Sequence, residues 1–315
     1  MDRIPSEEDI AKTHKLIQPY IHRTPVLANQ SINTITSSNL YFKCENFQKV
    51  GAFKMRGASS AVALMEDDMK YRGIATHSSG NHAQAVALTA KLHGIDAHIV
   101  MPENAPSIKR NAVAEYGATI YTSGNLIQDR ETKMREVLEK THATFIHPYN
   151  DYRIISGQAT AAKELLADCS DLDIIMAPVG GGGLLSGTAL SSKYHNPSLK
   201  VYGAEPLLVD DAYRSLKSGK IEMNHRIDTI ADGLRTMLGE KTFEVIQKYA
   251  DDILTVEEET IIWAMRLIWE RMKIIVEPSG AVPLAAVLEH PELFSGKRVG
   301  LIISGGNVDL QELPF

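Results

Sequence analysis

Residues 173–204 read DIIMAPVGGGGLLSGTALSSKYHNPSLKVYGA, and the fold turns on them. The apolar run over 173–178 predicts a buried strand, closed by Pro178. Gly180, Gly181, Gly182 and Gly183 follow, and the chain then reads as a helix through Tyr194. A second strand is expected over 200–204. Strand, glycine loop, helix and strand make a βαβ unit, whose two strands must lie parallel. The same alternation extends outward. Strands are predicted over 73–76, 97–101, 118–121 and 144–147, separated by helices over 82–93, 107–116 and 127–142, and 151–166 is mostly helical. Before these come a helix capped by Ser6, extended chain over 24–27, a strand over 40–43 and a helix over 55–65. The last strand is 298–303. An α/β architecture is expected, with mainly parallel sheets and helices on both faces.

The 315 residues carry 33 Lys+Arg against 39 Asp+Glu, a net charge of −6 that speaks against a dedicated nucleic-acid binder. With 44% hydrophobic and 23% charged residues, the composition is that of a folded chain and not a disordered one. Cys44 and Cys169 are the only cysteines, too few for a disulfide framework and too far apart for a CxxC site. A reducing, cytoplasmic setting is expected. No uninterrupted apolar run approaches ~18 residues, so no membrane-spanning helix is predicted. The acidic start MDRIPSEEDIAKTH lacks the apolar core of a signal peptide.

Ligands of parallel sheets bind beyond the carboxyl ends of strands, so the loops that follow strands come first. Four glycines before a helix let the backbone approach an anion, and the helix start offers unpaired amides, which favours phosphate binding over a simple turn. A P-loop is excluded because no lysine follows. The dinucleotide pattern GxGxxG fails from Gly180 at Leu185, from Gly181 at Ser186 and from Gly182 at Leu184. Glu205, at the end of the next strand, keeps a ribose-binding acid open, since such an acid lies about 20 residues on. His77-Ser78-Ser79-Gly80-Asn81-His82 gathers polar groups at another helix start, suited to a carboxylate, or to capping the helix through Ser79 or Asn81. Lys54 stands among apolar neighbours at a helix start. Single lysines are usually solvated, but a partly buried lysine of lowered pKa is what Schiff-base chemistry requires. Ser304-Gly305-Gly306-Asn307 either makes a turn or places a hydroxyl at the sheet's carboxyl edge.

Taken in order, Phe53-Lys54-Met55-Arg56-Gly57-Ala58, Ser78-Ser79-Gly80-Asn81-His82, the four glycines and Ser304-Gly305-Gly306-Asn307 resemble the fold type II pyridoxal-phosphate enzymes. The likeness is greatest to the serine racemase and serine/threonine dehydratase branch, which includes hydroxyaspartate dehydratases, and it covers essentially the whole chain. It implies a two-domain fold of the tryptophan synthase β type. Residues 1–72 and 148–315 would form the large cofactor domain and 73–147 a small domain closing over substrate. It implies pyridoxal 5'-phosphate bonded to Lys54, with Phe53 on one ring face and Gly233 beside the ring. Gly180, Gly181, Gly182, Gly183 and Leu184 would hold the phosphate, Asn81 the ring hydroxyl and Ser304 the ring nitrogen. Ser79 would serve as acid and base on the face opposite Lys54. Ser78, Ser79, Asn81 and His82 would receive the substrate carboxylate, with Arg130 near the substrate.

The resemblance further implies a divalent cation, Mg²⁺ or Ca²⁺, on Glu205, the Val209 carbonyl and Asp211, where an unaided reading gives a solvated acidic loop. The residues themselves leave Arg235 as a reader of a side-chain carboxylate or a plain surface arginine, and place Trp263 and Trp269 in a helical stretch over 259–272, packed in the core or at an interface. Lys49 matches a nucleotide site of animal serine racemases, but Ala28-Asn29-Gln30-Ser31 departs from the double serine found there, which puts a nucleotide activator in doubt. The partners implied are a small amino-acid substrate and a second copy in a homodimer. The implied activity is β-elimination to a 2-oxo acid and ammonia, together with racemisation of small β-hydroxy amino acids. The alternatives are a threonine or threo-3-hydroxyaspartate dehydratase without significant racemisation, an NAD-dependent oxidoreductase, and a non-catalytic ligand-binding protein.

Overall fold

A computed structural model of the chain describes residues 1–105 and 107–315. Among these residues ten strands form two sheets. The strands are β1 (Val26–Leu27), β2 (Asn39–Cys44), β3 (Ile74–His77), β4 (Ala97–Pro102), β5 (Thr119–Ser123), β6 (Thr144–Phe145), β7 (Ile174–Pro178), β8 (Lys200–Pro206), β9 (Asp252–Val256) and β10 (Arg298–Ile303). The larger sheet has the order β1-β2-β10-β7-β8-β9 and the smaller β5-β4-β3-β6. All pairings are parallel except that of β1 with β2. The smaller sheet is thus drawn wholly from 74–145, one continuous excursion out of the larger one.

The apolar pattern explains the layers. Along β7, Ile174 and Met176 enter one core with Leu301 and Ile303, while Ile175 and Ala177 enter another with Leu185 and Ile302. Alternate side chains of a strand face opposite sides, so a continuous apolar run requires cover on both. Helix Pro278–Glu289 supplies Val282 and Leu284 on one side, and helix Gly183–His195 supplies Leu185 and Ala189 on the other. The smaller sheet is built likewise. Ile74, Ile99 and Met101 pack with Ala83 and Val86, and Ala75 and Val100 pack with Met134 and Val137.

A buried charge cluster fixes the start of helix Lys54–Ala63. Arg56 Nε donates to Glu45 Oε2 over 2.7 Å and Nη1 to Glu164 Oε1 over 2.9 Å. Lys43 Nζ donates to Glu164 Oε2 over 2.7 Å and to the Thr24 carbonyl over 2.6 Å. All four side chains are at most 1% exposed, and charges taken so fully out of water persist only when paired. The cluster ties this helix to β2 and to helix Tyr152–Asp168.

Two expectations change. Strand β9 was not foreseen, and it closes the large sheet's edge beside β8. The helix expected through 272 ends at Leu267 and continues as a π-helical turn, Ile268–Met272, stopped by Lys273 at φ +61°. Trp263 is 46% exposed, whereas Trp269 packs on the core and donates to the Val276 carbonyl. No helix is long and apolar enough to cross a membrane among the described residues.

Candidate active site

Three loops meet at the carboxyl ends of β3, β7 and β10. Segment 50–54 is sewn to the loop after β10. Ala52 bridges Gly305, Phe53 N donates to the Ser304 carbonyl over 2.9 Å, and Gly306 N donates to the Gly51 carbonyl over 2.9 Å. Reversing the chain here needs left-handed backbone at Val50 (φ +58°) and Gly51 (φ +68°). For a β-branched residue that conformation is an outlier. The Asn307 amide, donating to the Val50 carbonyl over 2.7 Å, holds it. Lys54 is thereby placed as the first residue of its helix, its ammonium 5.1 Å from the Phe53 ring centre. Its Nζ donates to the Pro148 carbonyl over 3.0 Å. Burial pulls its pKa down to about 8, against the opposing charge of Glu277.

The glycine loop fits an anion by both backbone and space. Gly182 sits at φ +86°, and a Cβ there would lie 2.7–2.9 Å from Leu238, Ile246 and Thr242. A Cβ on Gly181 would enter the Tyr149 ring, and one on Gly180 would come within 2.9 Å of Leu234 Cα. Helix Gly183–His195 has no side-chain cap, so its first-turn amides, Leu184 among them, keep no cap partner. Thr242 Oγ1 donates to the Gly181 carbonyl over 2.8 Å and steadies the loop. The Gly233 carbonyl is 3.2 Å from where Gly180 would carry a Cβ, and Gly233 N donates to Ser279 Oγ over 3.1 Å. The Ser304 hydroxyl is buried without a partner, as a group reserved for a ligand would be.

Helix Asn81–His93 begins after β3. Its cap position is Gly80, and no side chain caps it, so neither Ser79 nor Asn81 is the helix cap. Ser78 Oγ instead accepts from Gly80 N over 3.2 Å. Ser79 is half-buried. Asn81 Nδ2 donates to both Glu277 oxygens, over 3.0 and 3.1 Å, and its Oδ1 accepts from Asn307 Nδ2 over 2.9 Å. Burial, helped by Asp232, lifts the Glu277 carboxyl to about 7. His82 is buried and held well below its ordinary pKa by burial, and its Nε2 donates to the Ile146 carbonyl over 3.2 Å.

Arg130 is not drawn into this group by any hydrogen bond among the described residues. Its Nη2 donates to the Asn125 carbonyl over 3.2 Å at the start of its own helix, and its charge is felt by His77. Arg235 donates twice to the Thr229 carbonyl, over 3.2 and 2.6 Å. Glu205 and Asp211 form a separate buried pair. Glu205 accepts from Ala212 N and Tyr213 N over 3.0 and 2.8 Å, so the acidic loop is not a solvated one. Burial lifts Asp211 to about 7 and Glu205 well above the carboxylate range. Asp211 Oδ1 is buried without a partner, and Val209 is fully buried beside the pair. An orphaned oxygen and two desolvated carboxylates suit a hard cation. No cluster of three or more His, Cys, Asp or Glu is gathered among the described residues, so main-chain oxygen would have to complete the set.

Sequence reasoning missed Glu277, Tyr149 and the 147–150 turn. The only local sign of Glu277 was a carboxylate just before Pro278, where a helix begins.

Residues 17–305 match the family model described as "Pyridoxal-phosphate dependent enzyme". The chain belongs to that family. Within it, the chain is 47% identical to a serine racemase of Dictyostelium discoideum over 97% of this chain and 96% of that one. It is 46% identical to a β-hydroxyaspartate dehydratase of Paracoccus denitrificans, over 99% of each. The solved structure of maize serine racemase superposes with a TM-score of 0.95 at 45% identity, covering 98% of this chain and 95% of that one. The α/β fold with two parallel-type sheets is the fold of these pyridoxal-phosphate enzymes. The oxidoreductase reading of Glu205 falls, because the chain belongs to a pyridoxal-phosphate family.

Proposed function

We propose that the protein removes water and ammonia from small β-hydroxy amino acids, giving 2-oxo acids, and also racemises them. The observation that carries this reading is the convergence of a half-buried lysine of lowered pKa, an uncapped glycine loop and an unpartnered serine hydroxyl at one sheet edge. Lys54 would hold pyridoxal 5'-phosphate covalently, Gly180 to Leu184 its phosphate, Ser304 its ring nitrogen and Asn81 its ring hydroxyl, with Phe53 and Gly233 against the ring. Bound there, the cofactor supplies an electron sink for the substrate's α-carbon. Ser78, Ser79, Asn81 and His82 form the loop that receives the substrate carboxylate, and Arg130 borders the substrate. Lys54, whose pKa burial lowers to about 8, would be the base that takes the α-proton on one face. Ser79 exchanges a proton on the other. Ser304 would offer the ring nitrogen a neutral hydroxyl in place of a carboxylate, a partner suited to prompt loss of the β-hydroxyl rather than long storage of charge.

In this reading 73–147 is the small domain that closes on substrate, while 1–72 and 148–315 hold the cofactor. The separate four-stranded sheet supports that division. A divalent cation on Glu205, Val209 and Asp211, a homodimer and a cytoplasmic setting complete the proposal. A nucleotide activator is left out of it, since Asn29 serves as a helix cap and donates to the Arg271 carbonyl.

The test offers serine, threonine and threo-3-hydroxyaspartate to wild type and Ser79→Ala. Wild type should yield 2-oxo acid and the enantiomer. Ser79→Ala should keep the cofactor and much of the elimination from L-serine. Losing a proton-transfer group costs ~10²–10⁴-fold, and the loss should fall on racemisation and on elimination from D-serine. Racemisation at the wild-type rate would remove Ser79 from the mechanism.

A further inference from the structure

The segment joining the small sheet to helix Tyr152–Asp168 carries a turn in which the imidazole of His147 replaces a backbone acceptor. His147 Nδ1 accepts from Tyr149 N over 3.2 Å and from Asn150 N over 2.8 Å. Two donors on one nitrogen require its lone pair, so the ring is neutral and its proton sits on Nε2. Burial and the neighbouring cations hold it in that state. The turn's three remaining residues each reach a different part of the site. The Pro148 carbonyl accepts from Lys54 Nζ over 3.0 Å. The Tyr149 ring occupies the space that a side chain on Gly181 would need, and the Tyr149 Cβ lies 3.1 Å from where Gly183 would carry one. Asn150 Oδ1 accepts from Lys241 N over 2.8 Å, beside Thr242, which in turn bonds the glycine loop. The Tyr149 ring also meets His147 edge to face at 4.7 Å.

We propose that His147 is a positioning residue. As a double hydrogen-bond acceptor it fixes the 147–150 turn, and the turn sets the Lys54 amine and one wall of the phosphate cradle in register. A carbonyl on a rigid turn holds the amine in one place, whereas a mobile turn leaves a long side chain to wander. The inference rests on Lys54 being the cofactor lysine. Its distinctive content is chemical: the acceptor atom is what matters, not the aromatic ring. Asparagine can offer its amide oxygen at the same distance from the backbone as Nδ1 and can close the same turn. Phenylalanine keeps the ring and loses the acceptor.

The experiment prepares cofactor-free wild type, His147→Phe, His147→Ala and His147→Asn. It measures the rate at which pyridoxal 5'-phosphate and borohydride label Lys54, located by peptide mapping, with thermal melting as the folding control. Displacement of a reacting group by ~1 Å can cost 10²-fold, so Phe and Ala should slow labelling by at least about tenfold, and Asn should stay within about threefold of wild type. A folded Phe or Ala variant that labels at the wild-type rate overturns the proposal. So does an Asn variant as slow as the other two, which would make the imidazole itself the requirement. If Phe and Ala do not fold, the Asn variant decides alone, because wild-type labelling is required of it. Failure to label Lys54 in wild type would overturn the lysine assignment instead, so the two failures are distinguishable.

Discussion

Lys54 is a lysine whose surroundings disfavour its charge. Burial lowers its pKa from 10.5 to about 8, and Glu277 pulls the other way. A lowered folded pKa means that the stability tied to this group is full above 10.5 and is lost as pH falls through about 8. Reactivity follows the free amine. In the cofactor-free protein, labelling of Lys54 by an aldehyde should rise with a midpoint near 8, and Glu277→Gln should move that midpoint lower. A midpoint near the ordinary 10.5, or one unmoved by Glu277→Gln, would contradict this electrostatic account. Lys54 was legible in the sequence because its apolar neighbours and the companion loops formed a recognisable set. Glu277 was not. Its importance comes from meeting Asn81 in space, and nothing local in Val276-Glu277-Pro278 announces that meeting.

At the level of elements, the glycine loop was legible for a physical reason that the structure makes specific. Tyr149, Leu234 and the cluster of Leu238, Thr242 and Ile246 press on the loop and leave no room for side chains. Strand β9 was missed because its burial is uneven and its acidic start reads as a loop. The π-helical turn was missed because its sequence continues the helical pattern without a break. The pair Glu205 and Asp211 lends itself to a prediction. Carboxyls whose folded pKa is raised stabilise the protein below their unfolded values and lose that contribution as pH rises through the folded ones. Asp211 reaches that point near 7, so a metal-free sample should lose stability from acidic pH up through 7. Mg²⁺ or Ca²⁺ should restore it, raising the melting temperature more at pH ~8 than at pH ~6 through mass action on the native state. Equal melting with and without thorough chelation at the higher pH would remove the cation.

On the scale of the whole molecule, the fold class followed from alternating strands and helices, but the way the two sheets share one site did not. The Lys109–Asp232 ion pair, at 3.1 Å, and the Asn81–Glu277 bonds join the 73–147 excursion to the rest of the chain. Neither pairing has any signature along the sequence. The buried cluster of Lys43, Glu45, Arg56 and Glu164 was equally hidden, because charged residues in an amphipathic pattern ordinarily face water. It gives a prediction about global stability. Glu164→Ala removes partners from both Arg56 and Lys43 and should cost about 3–5 kcal/mol in urea unfolding, against a much smaller loss for an exposed pair such as Arg266–Glu270. Equal losses would mean that the cluster is not holding the lysine helix in place.

The central claim is that Lys54, seated by the loop after β10 and by the Pro148 carbonyl, carries the cofactor. It is tested most directly by reducing the holoenzyme with borohydride, digesting it and mapping the label. A single pyridoxyl group is expected on Lys54, and none in Lys54→Ala, which should also lose turnover. A label on another lysine, or a reduced holoenzyme with no labelled peptide, would contradict it.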